Sequence, residues 1–105
     1  MNAPALIEQY FVRAVDPDQE AYIALFAPDV VVVDDGHEHR GADAVRAWRA
    51  DVPAVRYAVR EVTASEAGGY AVAEVAGDFP GSPVDLRHAF RFDDDGKIAA
   101  LTIRP

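Results

Sequence analysis

The first residue suited to chemistry is a carboxylate at the end of a hydrophobic run. Four valines at positions 30–33 lead directly into Asp34 and Asp35, and His37 and His39 follow shortly after. Because alternate residues of a strand share a face, Asp34 lies on the same side as two of the valines. The carboxylate is then either the solvated end of a strand or a base at the mouth of an apolar pocket.

The two histidines of this segment raise the question of a metal site. On a strand, His37 and His39 would point the same way, and Asp34 or Asp35 could add an oxygen ligand. The chain contains no cysteine, and the histidine pair has no further ligand at a characteristic spacing. We interpret the pair as polar residues of a loop at a pocket rim, with His37 contacting the ligand, and we expect no metal.

His88 is the most informative single residue. It lies in the middle of a strand pattern in which every other residue is apolar, namely Val84, Leu86, Phe90 and Phe92. The imidazole therefore points into the core or into a cavity within it. It is either a neutral core histidine with one hydrogen-bond partner or an acid/base group and hydrogen-bond donor in a pocket.

Aromatic residues supply the remaining candidates. Tyr10 lies on the apolar stripe of the first predicted helix, where its hydroxyl either meets a backbone partner in the core or donates to a developing oxyanion. We expect most of the other aromatic residues to lie in the core, and those that reach a pocket would form its walls. The candidates for these walls are Tyr22, Phe26, Trp48, Tyr57 and Phe90.

Two helices are predicted before the valine run. The first spans residues 2–15, with Asn2 as its cap and an apolar stripe at helical spacing. The second spans residues 16–27, with Asp16 as its cap and Pro28 as its end. The first stripe consists of Leu6, Ile7, Tyr10, Phe11 and Ala14.

After the short strand of valines, Gly41 opens a third predicted helix from Ala42 to about Asp51, whose apolar side carries Val45 and Trp48. The period then changes from 3.6 to 2, which is typical of strands. Turns are predicted at Gly68–Gly69, at "PGSP" (80–83) and at "DDDG" (93–96). Helices followed by a meander of strands predict an α+β fold, an antiparallel sheet with helices on one face and a cone-shaped space between the layers.

The composition of the chain limits the classes of partner that it can bind. The chain has 105 residues, enough for one domain, and a net charge of −8. Such an acidic surface repels nucleic-acid backbones and anionic membrane surfaces, and no apolar run is long enough to span a bilayer. The absence of cysteine is typical of a reducing compartment, so we expect a cytoplasmic protein.

An apolar sheet face also predicts self-association. Several small or apolar residues are expected on the outer faces of the long strands, where they are too hydrophobic to remain in water. We therefore expect a homodimer joined through the sheet faces. These residues are Ala58, Val62, Ala71, Ala73, Val75 and Leu101.

The order of these pieces resembles the NTF2-like superfamily, in particular its SnoaL-like and ketosteroid-isomerase-like members. The resemblance covers essentially the whole chain. It is carried by the tyrosine-bearing first helix, "AYIALFAPDV", "VVVDDGHEHRGADAVRAW" and the closing "HAFRFDDDGKIAALTIRP". It implies a single domain at 1–105 in which a strongly curved antiparallel sheet carries three helices from the N-terminal half on its concave face.

The resemblance also implies roles for three residues. Asp34 matches the general base of ketosteroid isomerase, and Tyr10 matches its oxyanion-binding tyrosine. His88 stands where that enzyme has a protonated aspartic acid, so the sequence departs from the family pattern there. A neutral histidine still offers one hydrogen bond.

Two functional hypotheses follow. The first is a cofactor-free enzyme that uses general acid/base chemistry on a small apolar metabolite, as an isomerase, cyclase, dehydratase or hydrolase. The second is a non-catalytic module that binds a small ligand or forms dimers. They differ in whether Asp34 and His88 share a cavity that a ligand can reach.

Overall fold

The structure is a computed structural model that describes residues 2–105. Its elements, in chain order, are helices α1 (Ala3–Ala14) and α2 (Gln19–Ile23), strands β1 (Phe26–Asp34) and β2 (His37–Arg40), helix α3 (Ala42–Asp51), and strands β3 (Val55–Ser65), β4 (Gly68–Gly77), β5 (Val84–Phe92) and β6 (Ile98–Arg104). None of the helices within these residues is long and apolar enough to cross a membrane.

The strands form a curved, unclosed sheet in the order β2-β1-β6-β5-β4-β3, with the helices packed on its concave side. The pairing of β1 with β6 is parallel, and the other neighbours pair antiparallel. The predicted α+β class, with its curved sheet and three helices, is confirmed.

Helix α1 follows the sequence prediction. The Asn2 side chain accepts a hydrogen bond from the Ala5 amide at 3.2 Å, which caps the first turn. Ile7, Tyr10 and Phe11 are buried, so the apolar stripe faces the sheet. This stripe holds α1 across the concave face.

Helix α2 is shorter than predicted. Its cap is Asp18, whose carboxylate accepts from the Glu20 amide, and the Asp16 side chain instead accepts from the Asp18 amide in the preceding turn. The helix does not continue to Pro28, because that residue already belongs to β1. Proline lacks an amide donor, and it lies where the register of β1 against β6 is interrupted.

A hairpin replaces the predicted loop after the valines. Residues His37–Arg40 form β2, which pairs with β1 from Val31 to Asp34. Asp35 and Gly36, with φ of 50° and 77°, form the two-residue connection that a tight hairpin requires. The Asp-Gly pair is itself a hairpin signal, so the sequence carried the information that the loop interpretation missed.

The turn between β3 and β4 also differs from the prediction. It lies at Glu66 and Ala67, and Gly68 and Gly69 are the first residues of β4. A Cβ on Gly68 would lie 2.4 Å from the Phe90 carbonyl oxygen. The glycines are therefore needed for close approach of neighbouring strands rather than for the turn.

The inward face of the sheet contains residues predicted to lie outside. Ala71 pairs with His88, and Leu101 pairs with Phe90, so these residues share the concave face. Ala71, Ala73, Val75 and Leu101 are all buried within the monomer, and their placement on the outer face was wrong. Period 2 identifies which residues share a face but not which face meets the helices.

Candidate functional site

A small cavity of about 140 Å³ lies between the concave face of the sheet and helix α3. The ends of β1 and α3 and the middle of β5 supply its polar side chains, and the walls are otherwise mostly apolar. Its lining residues are Asp34, Trp48, Arg49, Val52, Pro53, Val55, Tyr57, Val75, Phe79, Leu86, His88 and Ile103. The cavity therefore brings together two of the three predicted catalytic residues.

Asp34 is held in place by α3. The indole nitrogen Nε1 of Trp48 donates a hydrogen bond to Asp34 Oδ2 at 3.1 Å. His39 stacks on the Trp48 indole. The ring centres are 5.5 Å apart, and the angle between the ring planes is 27°. Within residues 2–105, no side chain or backbone amide donates a hydrogen bond to Oδ1 of Asp34, so that oxygen is left for a ligand or for water.

His88 is almost completely buried, with 1% of its surface exposed. Its ring lies among aromatic side chains, 5.1 Å from the Phe11 ring and 6.1 Å from the Tyr57 ring. Its pKa is lowered to about 4, mainly by burial and also by the positive charge of Arg49, while a hydrogen bond with the Leu86 backbone opposes the shift. The imidazole is therefore neutral at pH 7 and carries one N–H donor.

One ring nitrogen of His88 has no partner. Nδ1 is buried and makes no hydrogen bond within the described part of the chain. A buried polar atom without a partner costs free energy, and such atoms are rare in native proteins. The core-histidine interpretation required one hydrogen-bond partner, for which the Leu86 backbone is the candidate, whereas the unpartnered Nδ1 supports the pocket interpretation.

Tyr10 is not among the residues that line the cavity. It is fully buried behind His88, with 5.9 Å between the ring centres. Its hydroxyl accepts a hydrogen bond from the Tyr22 hydroxyl at 3.1 Å. Burial raises its pKa, and the neighbouring tyrosines Tyr22 and Tyr57 raise it further, so Tyr10 remains protonated.

The predicted wall residues divide into two groups. Trp48 and Tyr57 line the cavity, and Tyr22 lines an adjoining cleft of about 310 Å³. Phe26 and Phe90 instead pack on the Tyr10 ring in the core. The sequence analysis therefore found part of the wall.

His37 lies outside the cavity lining. It is the cross-strand partner of Asp34 on β2, but it is exposed. Within residues 2–105, no three histidine or carboxylate side chains converge in a way that could hold a metal ion. The hairpin therefore leaves His37 exposed and places His39 against Trp48.

Arg49 is a site residue that the sequence analysis missed. It lies on α3 next to Trp48 and lines both the cavity and the adjoining cleft. Its guanidinium carbon is 4.6 Å from the centre of the Tyr22 ring and 5.2 Å from that of Trp48. The available signal was weak, because an arginine in the last turn of a helix usually faces solvent.

A larger apolar groove of about 810 Å³ lies between α1 and β3. Its lining includes the four large hydrophobic residues that are strongly exposed within residues 2–105, namely Val12, Val15, Val59 and Val62. Its charged members are Glu8 and Arg56, and it contains neither Asp34 nor His88. Size alone favours this groove, but convergent polar groups favour the small cavity as the site of chemistry.

Comparison with known proteins agrees with this architecture. A model of the SnoaL-like domain matches residues 7–101. A provisionally named polyketide cyclase from Sinorhizobium meliloti is 35% identical, with a TM-score of 0.88 over 96% of this chain and 94% of that chain. A protein from Sphaerobacter thermophilus is 28% identical, with a TM-score of 0.86 over 99% and 95%.

A more distant structure shares the fold. The Δ5-3-ketosteroid isomerase from a Mycobacterium species is 22% identical, with a TM-score of 0.83 over 98% of this chain and 92% of that chain. No protein of curated function matches the chain in sequence. The match of the domain model over most of the chain, together with the fold, shows that the chain belongs to the SnoaL-like domain family.

Proposed function

We propose that this protein is a cofactor-free general acid/base enzyme that acts on a small carbonyl compound bound in the cavity. The observation that carries the proposal is that Asp34 and His88 line the same apolar cavity, one as a carboxylate and the other as a neutral imidazole.

In the proposed step, a carboxylate oxygen of Asp34 removes a proton from the carbon beside the carbonyl. The electron pair of the broken C–H bond moves into a C–C double bond, and the carbonyl oxygen becomes negatively charged. The N–H of His88 donates a hydrogen bond to this oxygen, which lowers the barrier. Asp34 then returns the proton to the same or another carbon of the enolate.

The supporting residues position these two groups. Trp48 fixes the Asp34 carboxylate through its indole N–H. Tyr10 acts through His88 rather than on the ligand, because its ring packs on the imidazole and its hydroxyl is paired with Tyr22. Tyr57 and the apolar side chains exclude water from the reacting atoms.

Hydrogen–deuterium exchange tests the proposal without knowledge of the product. Cyclohexanone in D₂O serves as the first probe, and NMR follows exchange of the protons beside its carbonyl. We expect the wild type to accelerate exchange and Asp34→Asn to lose this acceleration by about 10²–10⁴-fold with nearly unchanged affinity. Asp35→Asn is the matched control, because Asp35 is exposed at the adjacent turn.

A non-catalytic binding module is the second candidate, and the larger apolar groove between α1 and β3 favours it, because that groove contains neither Asp34 nor His88. At about 140 Å³, the cavity is smaller than the ~300–1,000 Å³ that is usual for ligand sites. If small cyclic ketones bind but the wild type does not accelerate exchange, the enzyme proposal is wrong and the binding module replaces it.

We also propose that the protein forms a homodimer, but through residues other than the buried ones named in the sequence analysis. The outer face of the sheet carries a row of paired positions across four strands, Val33, Thr102, Ala89 and Tyr70. These side chains are small or aromatic and uncharged. They support association through the outer face, whereas the four residues buried in the monomer do not.

A further inference from the structure

Arg49 lies at the boundary between two spaces. The cavity that contains Asp34 and His88 and the adjoining cleft of about 310 Å³ are both lined by Arg49, Val52, Pro53 and Val55. The two spaces therefore adjoin at Arg49. Together the two spaces offer an apolar end and a charged end.

Two carboxylates line the spaces beside Arg49, Asp34 in the cavity and Asp16 in the cleft, but neither forms an ion pair with it. None of the ion pairs within residues 2–105 includes it, although Arg46, one turn earlier on α3, pairs with both Glu20 and Asp43. The carboxylate that lines the cleft, Asp16, is already paired with Arg13 at 2.8 Å. The other arginines without a pair, namely Arg56, Arg87, Arg91 and Arg104, are exposed to water, whereas Arg49 is half-buried.

The donors of Arg49 are only partly used. Its Nη2 donates to the Ala14 carbonyl oxygen at 3.2 Å, the Tyr57 hydroxyl is a second hydrogen-bond partner, and the guanidinium carbon lies over the rings of Tyr22 and Trp48. A guanidinium has five N–H donors in a fixed fork that matches a carboxylate, and it stays charged at every relevant pH. A partly desolvated cation with unused donors is stabilised by an anionic ligand.

We propose that the site selects a small carbonyl compound that also carries a carboxylate. Its ring-sized apolar body and carbonyl group occupy the cavity beside Asp34 and His88, and its carboxylate binds Arg49 at the cleft. The cavity volume suits one ring, because a space of ~150 Å³ admits a molecule the size of benzene. This inference rests on the proposed function and names its substrate class.

A matched pair of ligands tests the charge preference. The probes are 3-oxocyclohexanecarboxylate and its neutral amide, which differ little in shape, and calorimetry measures their affinities. We expect the wild type to bind the acid about 10- to 100-fold more tightly than the amide, as a charge-assisted hydrogen bond predicts. Equal affinities for the acid and the amide would overturn the inference from the wild type alone.

Variants on α3 assign the preference to Arg49. In Arg49→Gln the ratio of affinities should fall close to one, and in Arg49→Lys a reduced preference should remain, because lysine keeps the charge without the fork. Arg46→Gln is the control, since it removes an exposed charge from the same helix, and its ratio should match the wild type. A preference that persists in Arg49→Gln would also overturn the inference.

Exchange at the ring carbons separates this inference from the proposed function. If both ketones exchange at equal rates through Asp34 and bind equally, the charge preference is wrong and the acid/base function stands. If the acid binds preferentially through Arg49 but neither ketone exchanges, the acid/base function is wrong and the anion site stands.

Discussion

The Trp48 indole donates its hydrogen bond to Asp34 across 3.1 Å and so connects helix α3 to the end of strand β1. Through this hydrogen bond, the helix that carries Arg49 also holds the carboxylate of the candidate base in position. It joins residues separated by fourteen positions in the chain. The proposed base and the proposed anion-binding residue are therefore both connected to helix α3.

Replacing Trp48 with Phe tests this support. The aromatic packing is largely kept, but Asp34 loses its donor, so we expect the free energy of unfolding to fall by about 1 kcal/mol or more. If the enzyme proposal is correct, cyclohexanone exchange should also slow on the order of 10-fold, because the carboxylate is less well positioned. His39→Ala, which removes only the stacked ring, should leave the exchange rate much closer to the wild type.

The buried His88 predicts a specific dependence of stability on pH. Its pKa is about 4 in the folded protein, against about 6.5 in the unfolded chain, so the unfolded chain binds the extra proton first. Above pH 6.5, the contribution of neutral His88 to the free energy of unfolding is fully present. It decreases by at most about 3 kcal/mol as the pH falls to 4.

Denaturant unfolding of the wild type and of His88→Leu between pH 4 and 7.5 measures this contribution. The difference between the two proteins isolates His88 from the carboxylates that titrate in the same range. It should change with pH mainly between 4 and 6.5, in favour of the wild type at the higher end. A difference independent of pH would show that the imidazole does not titrate in this way.

The proposed homodimer predicts the sedimentation behaviour. We expect a dimer at micromolar concentration, with a buried area in the usual range of about 1,200–2,000 Å². Ala89→Glu places a charge in the middle of the outer row, next to Tyr70 and Thr102, and should give a folded monomer. A wild type that sediments as a monomer would contradict the prediction.

The expected independence from metal is tested with a chelator. Because the candidate site is built from Asp34, His88 and Arg49 rather than from a ligand cluster, we expect the melting temperature and any exchange activity to be unchanged. A large decrease in melting temperature on adding a chelator, reversed by a divalent ion, would contradict this expectation. It would indicate that His37 and His39 bind a metal. Comparing His37→Ala with the wild type under the same conditions would then locate the metal.

Much of the site could be predicted from local patterns. Alternation along β1 places Asp34 on the inner face with Val30 and Val32, and alternation along β5 places His88 among apolar residues. Helical spacing predicts that Tyr10 is buried. These statements need only the period of a strand or helix, which is a property of a few consecutive residues.

Other features depend on which elements meet. The buried face of β4 became clear only when the register set Ala71 beside His88. Tyr10 pairs with Tyr22, twelve positions later on α2, and is not among the residues that line the cavity. Arg49, an ordinary helical arginine in sequence, gains its importance from its position between two spaces and from having no ion pair within residues 2–105.

The amino-acid sequence by itself therefore determined most of the elements, the inward direction of Asp34 and His88, and the family resemblance, because each depends on local periodicity and short motifs. Only the tertiary structure decided which polar groups have partners and which share a cavity. Those properties depend on distances between residues far apart in the chain. Packing sets these distances, and no local pattern encodes them.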